Sequence, residues 1–140
     1  MKTGKLFGFW VIAAGLLYFL IPLVFPICES TGGMPMRCFW SARAEMGVGA
    51  AVIFGGIFYL GTKNTQRRVG LCLMIGVLAC LGAAIPLFLI GVCDHHGAPC
   101  RTGTLPAWVI ASGFLLISAW GNAWRLSRRD DSSGPEAEHA

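Results

Sequence analysis

Charge is scarce in this chain. Only 13% of its 140 residues are Asp, Glu, Lys or Arg, about half the roughly 25% of ordinary globular domains. Hydrophobic residues make up 55%, more than a soluble fold of this length can hide, so the excess needs lipid as its solvent. The net charge of +4 does not imply nucleic acid as a partner, because the basic residues fall in separate clusters between apolar runs and form no single patch. The few polar residues assemble no nucleophile–base pair, no phosphate loop and no paired acid–base carboxylates. The expectation leans away from an enzyme, and no cofactor is expected.

Four apolar runs supply what the composition calls for. They are "LFGFWVIAAGLLYFLIPLVF" (6–25), "EMGVGAAVIFGGIFYLGT" (45–62), "GLCLMIGVLACLGAAIPLFLIGV" (70–92) and "LPAWVIASGFLLISAWGNAW" (105–124). Each is close to the ~20 residues that cross a ~30 Å hydrocarbon layer as a helix. A helix is the open-chain solution there, because every backbone amide must find its partner internally. The fold class is therefore all-α: a polytopic membrane protein of four transmembrane helices, joined by loops at 26–44 and 93–104.

Lys and Arg orient the bundle. Lys2, Lys5, Lys63, Arg67, Arg68, Arg125, Arg128 and Arg129 fall on one side, and only Arg37, Arg43 and Arg101 on the other. By the positive-inside rule both termini and the middle loop lie in the cytoplasm of a plasma (inner) membrane protein. Trp40 and Trp108 then mark the outer interface, with Trp10, Tyr59, Trp120 and Trp124 near the inner one. Lys2 and Lys5 resemble the start of a signal peptide, but the apolar run is too long and no A-x-A site follows it, so a permanent helix is expected. Residues 125–140, with "SGPEAEHA" and no apolar face, read as a disordered cytoplasmic tail in which His139 is a solvated residue.

The chain also echoes itself. "IPLVFPIC" at 21–28 matches "IPLFLIGVC" at 85–93, and each is followed by a polar turn, a second cysteine and a return helix. Two hairpins that both start inside would be parallel repeats about an axis along the membrane normal. Convergent use of proline near helix ends is the competing account of the match.

Four cysteines fall in the two outer loops: Cys28, Cys38, Cys93 and Cys100. Outside the cytoplasm thiols are usually oxidised, and the hairpin repeat suggests Cys28–Cys38 and Cys93–Cys100, although four cysteines allow three connectivities. Loops this short would gain roughly 2–3 kcal/mol on the chain-entropy account. Two alternatives use the same residues. Cys93, His95, His96 and Cys100 offer sulfur and nitrogen to zinc, and Met34, Met36 and Cys38 are soft donors for copper(I), but neither loop has structural zinc spacing. At a coarse level the layout also resembles the quinone-linked disulfide-forming membrane enzymes. Those use C-x-x-C, whereas this chain has C-x₉-C and C-x₆-C.

Small residues recur every four positions in two helices: Gly47, Ala51 and Gly55 in the second, and Cys72, Gly76, Cys80 and Ala84 in the third. Such rows let transmembrane backbones approach, which makes packing the expected role of both thiols. Pro22 and Pro86 should bend or end their helices. Glu45, with Arg43 and Arg101 nearby, is a candidate functional ionisable residue at a membrane border. A plainer account places it in the first turn of the second helix, complementing the dipole behind a Ser41 cap. Thr104 is expected to cap the fourth helix with Pro106 in its first turn, and Asn122 to hydrogen-bond between helices.

Two strings, "MRCFWSARAEMGVG" (36–49) and "GVCDHHGAPCRTGTLPAW" (91–108), together with the four-helix layout, resemble the DUF4418 family of small bacterial and archaeal membrane proteins. The resemblance rests on Cys38, Glu45, Cys93, Cys100, Thr102 and Gly103 in their local contexts. It implies the four-helix fold and assigns no catalytic residue. Family members resemble accessory membrane proteins encoded beside export-type ABC transporter permeases, so the resemblance implies a membrane partner such as an ABC transporter permease. The reading taken from the sequence is a non-enzymatic accessory subunit in the lipid bilayer.

Overall fold

The computed structural model describes residues 2–24, 37–91 and 100–132. Four helices carry the fold: α1 (Lys2–Val24), α2 (Arg37–Gly61), α3 (Thr65–Ala84) and α4 (Leu105–Ser132). All four, with the turns that extend α3 and α4, are long and apolar enough to cross a membrane. α1 packs along α2 and α3 along α4, so the bundle is two hairpins, with thinner contacts between them. Leu16, Phe54, Val77 and Ile117 lie on its exposed outer surface, as expected where lipid tails are the solvent.

The helix bounds differ from the apolar runs for identifiable reasons. α2 begins at Arg37 rather than Glu45. Arg37, Ser41, Arg43 and Glu45 lower the local hydropathy, but Cys38, Ser41, Ala42, Glu45, Val48, Gly49 and Val52 are buried, and they recur every three or four residues on one face. α4 runs past Trp124 to Ser132, so residues 125–132 are helical rather than tail. Leu126 packs with Ala123 against Tyr59, the Arg128 guanidinium sits 5.1 Å over the Trp124 ring, and Arg129 places positive charge in the last turn.

Pro86 marks a change of winding. α3 ends at Ala84 and continues as a π-helical turn, Ile85–Leu89, closed by Ile90 N–H donating to Ile85 C=O at 3.0 Å. Proline lacks the amide that the regular ladder needs, which favours such a local adjustment. Gly91 follows at φ +78°, a conformation that glycine adopts without cost. Its carbonyl accepts a hydrogen bond of 2.9 Å from Ser41 Oγ. Ser41 is thus an interior residue of α2 tying it to the end of α3, not an N-cap. At the other end of α3, Asn64 caps the helix by accepting from Gln66 N–H at 3.0 Å.

The close approach of α1 to α2 runs along Gly15 and Gly49, not along Gly47, Ala51 and Gly55. A Cβ on Gly15 would stand 3.0 Å from Ile53 N and 3.1 Å from the Gly49 carbonyl, while Gly47 has nothing within 4 Å. The α3 row also divides: Cys72 is buried and Cys80 exposed. Positions four apart drift about 40° per step around a 3.6-residue helix, so a long row turns from the interior toward lipid. The packed α3 face is Cys72, Ile75, Ala79 and Gly82. Two expected interface aromatics also turn inward, Trp108 at 2% exposure and Tyr59 at 0%.

Candidate functional site

A polar cluster occupies the core at the end of the bundle that carries the cysteine loops. Glu45 lies at its centre. It is the ninth residue of α2, about 12 Å along the axis from Arg37 at 1.5 Å per residue. The first-turn dipole role is therefore ruled out, and α2 has no acid in its first turn. Glu45 is 0% exposed, and neither carboxyl oxygen has a hydrogen-bond partner. It is also the one acidic residue within the four spans.

Each helix contributes something distinct around it. α1 supplies Tyr18, the titratable side chain set against the carboxyl, whose buried hydroxyl is hydrogen-bonded to Ser112 Oγ of α4 at 2.6 Å. α3 supplies an absence of side chain. A Cβ on Gly82 would overlap the Tyr18 hydroxyl and stand 3.5 Å from Glu45 Oε2. Tyr18 and Gly82 each precede their helix's Ile-Pro proline by four residues, so the positions that meet here are equivalent in the two hairpins. That is the meeting expected of parallel repeats about an axis along the membrane normal.

α4 presents Trp108 and Ser112 one turn apart on its buried face, with Thr104 one turn earlier in the π-helical turn Cys100–Thr104. Thr104 Oγ1 and Trp108 Nε1 are buried without hydrogen-bond partners. Thr104 is therefore not the side-chain cap that its position before α4 suggested. Pro106 does lie in the first turn of α4.

The expected cationic neighbours stay outside this site. Arg43 is exposed, with its guanidinium over the Phe39 ring at 5.0 Å, and Arg101 is exposed at the start of the π-helical turn before α4. Neither partners Glu45; Arg43, two residues away on the same helix, points in a different direction. Cys38 is buried on the same α2 face and is not a free thiol, whereas Cys72 and Cys80 are free among the described residues. Cys28, Cys93, His95, His96, Met34 and Met36 lie outside the described residues, as does His139, and Cys100 opens the π-helical turn.

A second cluster lies toward the end that carries the termini. Asn122 Nδ2 of α4 donates to Tyr59 Oη at 2.8 Å and to Cys72 Sγ at 3.3 Å, which is the interhelical role expected of it. Arg68 donates from Nε to the Thr62 carbonyl at 2.7 Å and stands 5.3 Å over the Tyr59 ring. Phe7 of α1 meets the same ring edge-on at 5.1 Å. This cluster is satisfied and joins all four helices and the α2–α3 turn. The Glu45 cluster is not satisfied.

Sequence reasoning singled out Glu45 but missed Tyr18 and Ser112. A signal was there: the chain has only two tyrosines, both within apolar runs, and a phenol in lipid needs a partner for its hydroxyl. Each tyrosine belongs to one of the two polar clusters.

Comparison with curated proteins and with solved structures returned no match. The family described as "Domain of unknown function (DUF4418)" matches residues 10–125, a stretch that takes in Tyr18, Glu45, Gly82, Trp108 and Ser112. The chain belongs to the DUF4418 family, and its four helices are long and apolar enough to cross a membrane.

Proposed function

We propose that this protein is a non-enzymatic partner subunit of a larger membrane assembly, with a transporter permease as the partner class. The observation that carries this reading is a groove of about 230 Å³ between α3 and α4, open to the lipid face. Gly76 and Cys80 keep its floor low, and Leu73, Val77, Leu116 and Trp120 form its rims. Lipid tails are as apolar as leucine, so helices associate in a bilayer through close packing at small residues rather than through hydrophobicity. A groove between bulky rims, running about 12 Å from Cys72 to Cys80, has the shape that a transmembrane helix of another chain fills.

The family's likeness to accessory proteins beside export-type permeases supports the choice of partner. The distribution of Lys and Arg, eight against three, supports an inner-membrane protein with cytoplasmic termini. That orientation places the cysteine loops in an oxidising compartment, where Cys28–Cys38 and Cys93–Cys100 would close them. A pair of closed loops would form a rigid outer cap for docking.

The test is position-specific photo-crosslinking in the native membrane. A benzophenone amino acid at Val77 should give one discrete adduct with another membrane protein, identified by mass spectrometry as a permease subunit. The same probe at Phe9 or Ile57, exposed on the α1 and α2 faces, should give none. Equal adducts from all three positions, or an adduct only with a second copy of this chain, would overturn the reading.

A further inference from the structure

Four buried polar atoms among the described residues lack a hydrogen-bond partner: Glu45 Oε1, Glu45 Oε2, Thr104 Oγ1 and Trp108 Nε1. All belong to the cysteine-loop end of the bundle. Trp108 and Ser112 lie one turn apart on α4, Thr104 sits one turn before them, and Ser112 is bonded to Tyr18 beside Glu45. The unpartnered atoms and the bonded hydroxyls thus form a polar track leading from the loop end to the carboxyl. From the geometry we infer that Glu45 is a proton-binding site of the membrane domain, supplied along this track from the cysteine-loop side.

The choice of ligand follows from what faces the carboxyl. From α1 it is Tyr18, whose hydroxyl is bonded to Ser112 of α4, and Trp108 is buried one turn before Ser112. From α2 itself the nearest polar side chains on the buried face are Ser41, one turn earlier, and Cys38, while Arg43 is turned away over Phe39. α3 brings no charged or titratable group at this level, since its buried face there is Ala79 and Gly82, followed by Ile85 and Pro86. The π-helical turn brings buried Thr104 and exposed Arg101. Among the described residues no cation therefore stands against a carboxylate that has left water, a costly arrangement in hydrocarbon.

A proton resolves this without needing room for a larger ligand. It removes the charge and turns an acceptor-only group into one that can also donate. The neutral acid can then join the hydroxyl chain through Tyr18 to Ser112, whose 2.6 Å bond can run in either direction. Thr104 Oγ1 and Trp108 Nε1 have the chemistry to hold one or two bridging waters, which would carry the proton inward. Gly82 keeps the Tyr18 hydroxyl in place beside the carboxyl, because any side chain there would displace it. This inference is independent of the partner proposed above.

The experiment uses the full chain in lipid nanodiscs with dicyclohexylcarbodiimide, a lipid-soluble reagent that captures neutral carboxyls. The acid O–H adds across one N=C bond and the product rearranges to a stable N-acylurea. The labelled peptide gains the whole reagent mass and loses nothing. The expected result is one adduct, mapped to Glu45 in the wild-type chain, whose yield falls as pH rises. Infrared pH-difference spectra should show a neutral-acid carbonyl band that disappears over the same range. Glu45→Gln should lack both signals, and Tyr18→Phe should keep the adduct but move its pH midpoint. Absence of both the adduct and the band would overturn the proposal. Protection of Glu45 by sodium but not by choline at constant pH would also overturn it, in favour of a metal-cation site. The wild-type mapping stands even if Glu45→Gln fails to fold.

Discussion

Replacing Gly82 by alanine adds one methyl group at the tightest point of the buried polar cluster. The new Cβ would overlap the Tyr18 hydroxyl and lie 3.1 Å from Tyr18 Cζ. The hydroxyl has little freedom to yield, because Tyr18 is buried and holds Ser112 at 2.6 Å. Overpacking of this kind costs roughly 1–3 kcal/mol, and losing the hydroxyl's bond adds about 0.6 kcal/mol by the average measured inside a membrane protein. Alanine's better helix propensity returns about 1 kcal/mol. The balance is a loss of about 0.6–2.6 kcal/mol, read from unfolding in mixed micelles with increasing SDS and followed by circular dichroism. Tyr18→Phe removes the overlapping atom and should by itself cost less than about 1 kcal/mol. The double variant should then be about 1 kcal/mol more stable than the sum of the two single changes implies. Additive effects, or a Gly82→Ala variant as stable as the parent, would refute the placement of Tyr18 against Gly82.

Other outcomes follow from the same contacts. Gly49→Leu should cost about 3 kcal/mol, because its Cβ would stand 3.0 Å from Phe19 N and 3.1 Å from the Gly15 carbonyl, both backbone atoms that cannot move aside. Gly47→Leu, with nothing within 4 Å, should be close to neutral in the same assay. Asn122→Ala should lose about 0.6–1.7 kcal/mol and speed maleimide modification of Cys72 in the folded protein, with Cys80 reacting as before. Ser41→Ala should cost about 1 kcal/mol by removing the bond to the Gly91 carbonyl. Trypsin cleavage after Arg37, without reductant, should leave the Cys28 and Cys38 fragments joined. Their separation on a non-reducing gel would refute the proposed pairing.

How much of this molecule was legible beforehand varied with the range of the signal. The four spans were legible because crossing a bilayer is a local requirement on apolar length, met by each run on its own. The end of α3 at Pro86 and the interhelical role of Asn122 were also legible, since a missing amide and a polar side chain in an apolar helix have few alternatives. The start of α2 was not. Its first nine residues include Arg37, Ser41, Arg43 and Glu45, which read as a polar loop until Cys38, Ala42 and Val48 are seen on the same inward face.

The inward faces were the larger uncertainty, and the reason is physical. In water an amphipathic stripe separates core from solvent. In lipid both sides of a helix are apolar, and these helices show almost no asymmetry around their axes. Sequence alone therefore determined the number of spans, their approximate extent and the charge bias of the loops. Only the tertiary structure decided that Gly49 rather than Gly47 meets α1, that Trp108 and Tyr59 turn inward, and that Cys72 is buried while Cys80 faces lipid. It also moved Glu45 from a helix end to the core beside Tyr18, Gly82 and Ser112, because burial inside a bundle depends on how all four helices are rotated against one another.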